Sequence, residues 1–270
     1  MSVLGALGHD QRHDGQRQTV DPTVTGRALI TGASSGLGLY MANRLTDLGW
    51  DVTGFGRRPQ NAIEGDVRFR YFSADLARLD CVANVAGRVA GPLDLIVHCA
   101  VCYPHHGADI TDSEAVFRVN ALNPEKLLRQ LVYDQPVDRF LSVVVVNSES
   151  MFHADAQSSV YAASKAALRV LTAGLSESCR NANASIATIL LGPLAHPNKI
   201  TDLASMADKL GVTIEQITRL FLRKSNRDLV IDALIEFEPC VDSLLYILRL
   251  GRIANGMMCR LDGGSAGSLI

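Results

Sequence analysis

The sequence lacks a long hydrophobic run and a strong charge of either sign. No stretch approaches the ~18 consecutive apolar residues that a membrane-spanning helix needs. The apolar segment at residues 3–7 is short and polar residues follow it at once, so it does not resemble a secretory signal. The formal net charge is only -2, which gives no electrostatic reason to expect a nucleic acid or an anionic membrane as a partner. We therefore expect a soluble, cytoplasmic protein.

The cysteines are too few and too scattered for a disulfide framework in a chain of 270 residues, so we expect six reduced thiols. They are Cys81, Cys99, Cys102, Cys179, Cys240 and Cys259. The length suits one α/β domain with a sizeable core. Residues 1–25 are polar and show no periodicity, which predicts a mobile tail before a domain that covers residues 26–270.

After the tail, short apolar runs alternate with longer amphipathic stretches. The runs have the length and the Val, Ile and Leu content of strands buried on both faces: 28–30, 52–55, 93–97, 140–146 and 186–191. The stretches that predict helices are Gly38–Leu48, Thr111–Leu131 and Ser159–Cys179. This alternation predicts an α/β fold with a single doubly wound, Rossmann-type parallel sheet and helices on both faces. In that architecture ligands bind at the carboxyl ends of the strands.

A glycine-rich loop joins the first predicted strand to the first predicted helix. It reads Thr31-Gly32-Ala33-Ser34-Ser35-Gly36-Leu37-Gly38. Glycine permits positive φ and leaves room for a phosphate, and a helix directs its free N–H groups and positive dipole end towards that phosphate. Because a strand precedes the loop and a helix follows it, the loop predicts a dinucleotide-binding site.

The residues after the second predicted strand bear on the choice of dinucleotide. A carboxylate at this point favours NAD, whereas a cation favours the additional phosphate of NADP. The sequence has no carboxylate here and continues with Arg57 and Arg58, whose guanidinium groups suit phosphate binding. We therefore predict NADP(H) over NAD(H); the alternative is that both arginines belong to a solvated loop.

Two residues of the third predicted helix, Tyr161 and Lys165, are four apart and therefore lie on one helix face. An ammonium beside a phenol is expected to stabilise the phenolate, lower its pKa and prepare the tyrosine for proton transfer. Ser148 lies thirteen residues before Tyr161, just past the strand run that ends at Val146. Ser150 is a rival for the same role. These residues predict a catalytic group at the carboxyl edge of the sheet.

The glycine loop and the Ser…Tyr-x-x-x-Lys spacing together resemble the short-chain dehydrogenase/reductase family over about residues 26–265. The resemblance implies that Tyr161 exchanges a proton with the substrate oxygen, Ser148 hydrogen-bonds that oxygen, and Lys165 binds the nicotinamide ribose. It also implies that Asn120 holds a water that links Lys165 to solvent. The cofactor-binding residues that follow are Gly32, Ser34, Ser35, Gly36, Leu37, Gly38, Arg57, Arg58, Asp75, Leu76, Ala100, Tyr161 and Lys165.

The family resemblance further implies interconversion of a small or medium ketone and a secondary alcohol, in the direction of reduction, by a homodimer or homotetramer. The segment 194–224 would form a helical substrate lid. Gly211 predicts a helix stop there, and Thr213 with Gln216 predicts a capping box; a DNA-binding helix-turn-helix is a remote alternative. The residues expected to line the substrate pocket are Tyr103, His105, Phe152, His153 and Leu194.

The sequence departs from the family pattern after the fourth predicted strand. The usual Asn-Asn-Ala-Gly is replaced by His98-Cys99-Ala100-Val101, so only the alanine is kept. A metal site is disfavoured here, because alternate strand residues point to opposite faces and no second ligand pair follows at zinc spacing. The departure leaves open a catalytically silent dinucleotide-binding sensor or scaffold. A sugar-nucleotide epimerase or dehydratase is a weaker alternative, since its usual glycine spacing is missing.

Overall fold

The computed structural model of the chain describes residues 26–63, 69–89, 91–103, 110–153 and 158–265, and the predicted tail lies outside them. Its strands are β1 (Arg27–Thr31), β2 (Asp51–Gly56), β3 (Arg70–Ser73), β4 (Leu95–His98), β5 (Leu141–Ser148), β6 (Ala184–Leu191) and β7 (Met258–Leu261). They form one parallel sheet in the order β3-β2-β1-β4-β5-β6-β7. The predicted doubly wound fold is confirmed, and the strand order reverses between β1 and β4, where such folds bind their ligands.

The helices are α1 (Gly36–Asp47), α2 (Cys81–Arg88), α3 (Ile110–Phe117), α4 (Asn123–Tyr133), α5 (Ser159–Asn181), α6 (Pro197–Leu210), α7 (Ile214–Ser225) and α8 (Glu238–Leu250). Two apolar cores lie on opposite faces of the sheet. Helices α1 and α8 cover one core, and α2, α4 and α5 cover the other. Every residue of β6 is buried, because helices shield both faces of this strand and β7 covers its outer edge.

The helix predicted over Thr111–Leu131 is interrupted in the structure. Between α3 and α4 the chain forms a π-helical turn, Arg118–Leu122, which carries the buried Asn120. Pro124, the second residue of α4, cannot donate a backbone hydrogen bond, which favours a change of hydrogen-bond pattern at this point. Such π turns are frequent at functional sites.

The segment after β6 contains α6 and α7. Helix α7 begins with the predicted capping box, in which Thr213 and Gln216 exchange side chain-to-backbone hydrogen bonds. The two helices share a small core of their own around Leu203, Ala207 and Ile217. Among the described residues, no helix is both long enough and apolar enough to cross a membrane.

Candidate active site

The site lies where β1 and β4 end side by side. Thr31 ends β1, and its hydroxyl accepts the backbone N–H of Ala100 at 3.1 Å. The same hydroxyl is 2.8 Å from Nδ1 of His98, the last residue of β4. These bonds join the start of the glycine loop to the segment that departs from the family pattern, so the two are positioned together.

The glycine loop forms a cradle that other residues could not form. Gly32 has φ +73°, and a Cβ on it would lie 2.7 Å from the backbone of Ala100. A Cβ on Gly38 would collide with the carbonyl oxygen of Gly32. Ser35 precedes α1 in an extended conformation and makes no side-chain capping bond, so its hydroxyl is available beside the free N–H groups of the helix. The cradle therefore fits the pyrophosphate of a dinucleotide.

The loop contacts the end of β2, from which the two predicted phosphate-binding arginines follow. A Cβ on Gly56 would lie 2.7 Å from Oγ of Ser34, so the Ser34 side chain packs directly against the backbone at the end of β2. Arg57 and Arg58 come next; both are exposed, and neither pairs with a carboxylate among the described residues. Leu37 is buried in the core below α1, so only its backbone could face a cofactor.

Asp75 and Leu76 lie after β3, on the same edge of the sheet. One carboxylate oxygen of Asp75 accepts the N–H of Ala77 at 2.9 Å, so the side chain stabilises its own turn and has its other oxygen free for a ligand. Leu76 is buried, and its carbonyl oxygen accepts a hydrogen bond from Asn123 at 2.7 Å. Its apolar side chain therefore belongs to the core.

The three predicted catalytic side chains meet between β5 and α5. Ser148 is the last residue of β5, and the 3₁₀ turn Glu149–Phe152 that follows packs against α5. On α5, the ammonium nitrogen of Lys165 lies 5.8 Å from the centre of the Tyr161 ring. The amide of Asn147 donates to the carbonyl oxygen of Lys165 at 3.1 Å and so fixes the helix to the strand end. The rival Ser150 is a neighbour of Ser148, whose hydroxyl donates to the Ser150 hydroxyl oxygen at 3.1 Å.

The pKa of Tyr161 is raised well above 10, opposite to the predicted direction. Burial is the largest cause, the neighbouring Tyr103 adds to it, and hydrogen bonding by Ser148 opposes it. Burial also lowers the pKa of Lys165 to about 8, which weakens the stabilising ammonium. The prediction was wrong because it counted the charge of the lysine and not the desolvation of both groups. The arrangement favours a neutral phenol, the form that donates a proton.

Asn120 occupies a closed position in the π turn. Its amide oxygen accepts the N–H of Cys102 at 2.7 Å, and its amide nitrogen donates to the Cys102 carbonyl oxygen at 2.8 Å and to Oγ of Ser164 at 3.0 Å. The residue is fully buried. Both amide hydrogens are therefore committed to the protein, and Asn120 ties the segment after β4 to α5.

The departure at the end of β4 places unusual groups beside the site. His98 is fully buried, and burial lowers its pKa to about 3, so it is a neutral imidazole. Its Nε2 has no hydrogen-bond partner among the described residues. Burial raises the pKa of the neighbouring Cys99 thiol to about 12, which makes it unreactive.

The predicted substrate-pocket residues are only partly brought together. The Tyr103 ring stacks on that of Tyr161, and Phe152 and His153 lie on and just after the turn that follows Ser148. Leu194 forms a bridge with Ile235 and packs against the core. His105 lies outside the described residues.

Sequence reasoning missed Glu149, a buried carboxylate directly after Ser148. One of its oxygens is hydrogen-bonded to Nε2 of His153, and its charge is among the causes that raise the pKa of Tyr161. The signal was present in the sequence, since Glu149 and His153 are four residues apart. It was overlooked because a carboxylate next to a strand end is usually exposed.

A family model described as short chain dehydrogenase matches residues 26–204. The uncharacterized oxidoreductase YvaG of Bacillus subtilis is 24% identical over 88% of this chain and 94% of its own length. The ketoacyl reductase HetN of Nostoc sp. is 23% identical over 86% of each chain. L-sorbose reductase from Gluconobacter frateurii, complexed with NADPH and L-sorbose, superposes with a TM-score of 0.78 at 18% identity over 92% of this chain and 98% of its own. The chain thus belongs to the short-chain dehydrogenase/reductase family of oxidoreductases.

Proposed function

We propose that this chain is an NADP(H)-dependent oxidoreductase that interconverts a small or medium ketone and a secondary alcohol, acting as a reductase. The observation that carries the proposal is the joint placement of Ser148, Tyr161 and Lys165 beside a glycine cradle that fits a dinucleotide. Two relatives support the proposal, since one is a ketoacyl reductase and another is an L-sorbose reductase complexed with NADPH.

The roles of the side chains follow from their surroundings. The bound nicotinamide would supply the hydride, and the protein supplies position and the proton. The neutral phenol of Tyr161 donates a proton to the substrate oxygen, and the hydroxyl of Ser148 hydrogen-bonds the same oxygen. Lys165 holds the nicotinamide ribose. Its ammonium nitrogen lies 5.8 Å from the centre of the Tyr161 ring, so ribose binding and proton transfer take place side by side.

The preference for NADP(H) rests on the two arginines after β2. Arg57 and Arg58 are exposed beside the loop that carries Ser34, without a described carboxylate to neutralise them. A 2′-phosphate on the adenosine ribose would give each guanidinium a charged partner. Asp75 would contact the adenine ring through its free oxygen.

The proposal also covers the surroundings of the site. Helices α6 and α7, within 194–224, act as the substrate lid, and Tyr103, Phe152, His153 and Leu194 line the pocket. His105 belongs to the same proposed set. The enzyme works in the cytoplasm as a homodimer or homotetramer on a small-molecule carbonyl or alcohol.

The proposal is tested by assaying a panel of ketones and monitoring the absorbance of the reduced nicotinamide. Each ketone is assayed once with NADPH and once with NADH. We expect turnover with NADPH, a higher KM for NADH, and a loss of about 10³-fold in kcat for Tyr161→Phe with NADPH affinity largely unchanged. Cofactor binding without turnover on any compound would instead support the silent sensor. Near-wild-type turnover of Tyr161→Phe would remove Tyr161 from the mechanism.

A further inference from the structure

An imidazole lies directly on the glycine cradle. His196 is the N-cap residue of α6, the first helix of the segment after β6, and it is half-buried. A Cβ on Gly36, the glycine at which α1 begins, would lie 2.7 Å from Nε2 of His196 and 2.8 Å from its Cδ2. The edge of the ring that carries Nε2 therefore packs against the helix end that the pyrophosphate is expected to approach.

Contacts on other sides of the ring fix its position. Nδ1 of His196 accepts the backbone N–H of Asn198 at 3.2 Å, which caps α6. The ring of Phe237, the residue before α8, meets the imidazole in a T-shaped contact with 6.3 Å between centroids. Phe237 in turn packs on Tyr40 of α1, with ring centroids 5.5 Å apart. These contacts hold the imidazole against Gly36.

The hydrogen bond at Nδ1 determines which ring nitrogen of His196 carries a hydrogen. A backbone N–H can only donate, so Nδ1 contributes a lone pair and the ring hydrogen is on Nε2. Within the ranges that the structure describes, Nε2 has no hydrogen-bond acceptor. An unpaired N–H donor therefore lies at the loop to which a dinucleotide would bring negatively charged phosphate oxygens.

We infer that His196 is a cofactor-binding residue, whose Nε2–H donates a hydrogen bond to the diphosphate of the dinucleotide. The inference rests on the proposed function, which places a dinucleotide in the glycine cradle. Backbone N–H groups at the start of α1 and the side chain of His196 then bind the same group. Because His196 is also the cap of α6, the bound cofactor contacts the residue at which the helices of the proposed lid begin.

Calorimetric titration of the wild type and of His196→Asn tests this inference. Asparagine is a favourable N-cap residue and keeps an oxygen that can accept the Asn198 N–H, but it lacks the donor at Nε2. The ligands are NADPH, 2′-phospho-ADP-ribose, which keeps the diphosphate without the nicotinamide, and 2′,5′-ADP, which has no diphosphate. We expect Kd to rise about tenfold for the first two ligands and less than about twofold for the third, because only the first two lose a hydrogen bond to a charged group.

Asn198→Ala is the matched control, since it changes an exposed side chain at the same helix end and keeps the backbone N–H that His196 accepts. Its Kd values should all stay within about twofold of the wild type. His196→Ser, which also keeps an N-cap acceptor, should reproduce the result of His196→Asn.

A loss of affinity confined to NADPH would overturn the inference, because it would place the imidazole at the nicotinamide. An equal loss for all three ligands would overturn it too, since it would show a general disturbance of the cradle. Tight binding by the wild type with unaltered Kd values in His196→Asn would overturn this inference alone. If the wild type bound none of the three ligands, the proposed function would fail with it.

Discussion

Strands β4 and β5 are neighbours in the sheet and end at the same edge, yet their ends are built differently. His98, the last residue of β4, is in register with Val145, so β5 extends three residues further, to Ser148. The β5 end presents two hydroxyls, those of Ser148 and Ser150, 3.1 Å apart. The β4 end instead buries a neutral imidazole and fixes its backbone to Thr31. One end carries reactive groups, and the other sets the position of the cradle.

The difference shows where a departure from the family pattern is tolerated. At the β4 end the cradle is contacted by the backbone N–H of Ala100 and by the Ala100 backbone beside Gly32, and neither contact uses the side chain at position 98. The cost of His98 is an unpaired buried nitrogen, which is about 1–3 kcal/mol. At the β5 end the proposed reaction requires the hydroxyl itself. Substitutions at the two ends should therefore act on different properties, activity at β5 and stability at β4.

Among substitutions at the two strand ends, the largest effect is expected from Ser148→Ala. Removing the hydroxyl that we propose hydrogen-bonds the substrate oxygen should lower kcat/KM by about 10²–10³-fold, since a positioned donor acts mainly in the transition state. The melting temperature should change little, because the residue is only partly buried at a strand end. Steady-state kinetics and thermal unfolding of the same preparation separate the two properties.

The neighbouring serine supplies the control for this substitution. Ser150→Ala removes a hydroxyl that bonds to Ser148 and should cost less than about tenfold in kcat/KM. An equal loss in both variants would assign the catalytic hydroxyl to the pair and not to Ser148. A large loss of stability in Ser148→Ala would break the proposed division between the two strand ends.

Gly32 follows β1 and lies against Ala100 in the segment after β4. We expect Gly32→Ala to lower both the stability of the fold and the affinity for the cofactor. The alanine must adopt φ +73° with its Cβ 2.7 Å from the Ala100 backbone, so we expect the free energy of unfolding to fall by about 2–4 kcal/mol. Gly87→Ala is the control, because Gly87 is an exposed residue of α2 with no atom near its added Cβ. That variant should gain about 0.5–1 kcal/mol. Equal effects of the two substitutions in urea unfolding would show that the cradle is not under steric constraint.

The sequence allowed the β5 end to be predicted more fully than the β4 end. The spacing of Ser148, Tyr161 and Lys165 and the valine run before them depend on local periodicity, which the sequence displays. The glycine loop is equally local. The same reasoning did not reveal that Asn120 lies buried in a π turn and is hydrogen-bonded to Cys102, eighteen residues away, because that contact exists only in the fold.

Properties that depend on burial, such as the pKa of a side chain, were the least predictable from the sequence. The direction of the pKa of Tyr161 was wrong because it depends on desolvation and on Tyr103, which reaches it from the end of another strand. The buried state of Glu149 was missed for the same reason. Chemical groups can be identified from sequence, whereas their ionisation depends on neighbours that only the fold brings together.

The smallest of the expected effects concerns His98 and the dependence of stability on pH. Its pKa is about 3 in the folded protein, below the ordinary value near 6.5. Between these values the unfolded chain binds a proton that the folded protein does not, so the free energy of unfolding falls as the pH drops from about 6.5 and levels off near 3. By pH 5 the loss from this residue is about 2 kcal/mol relative to pH 7.5.

His98→Asn removes this titration and retains a side-chain oxygen that can accept a hydrogen bond from Thr31. The variant should therefore lose less stability than the wild type between pH 7.5 and pH 5, with nearly unchanged kcat at pH 7.5. Parallel unfolding curves of wild type and His98→Asn across this range would mean that His98 is not buried as a neutral imidazole. A large fall in kcat for His98→Asn would mean that the β4 end takes part in the reaction. The two strand ends would then no longer differ in the property that each controls.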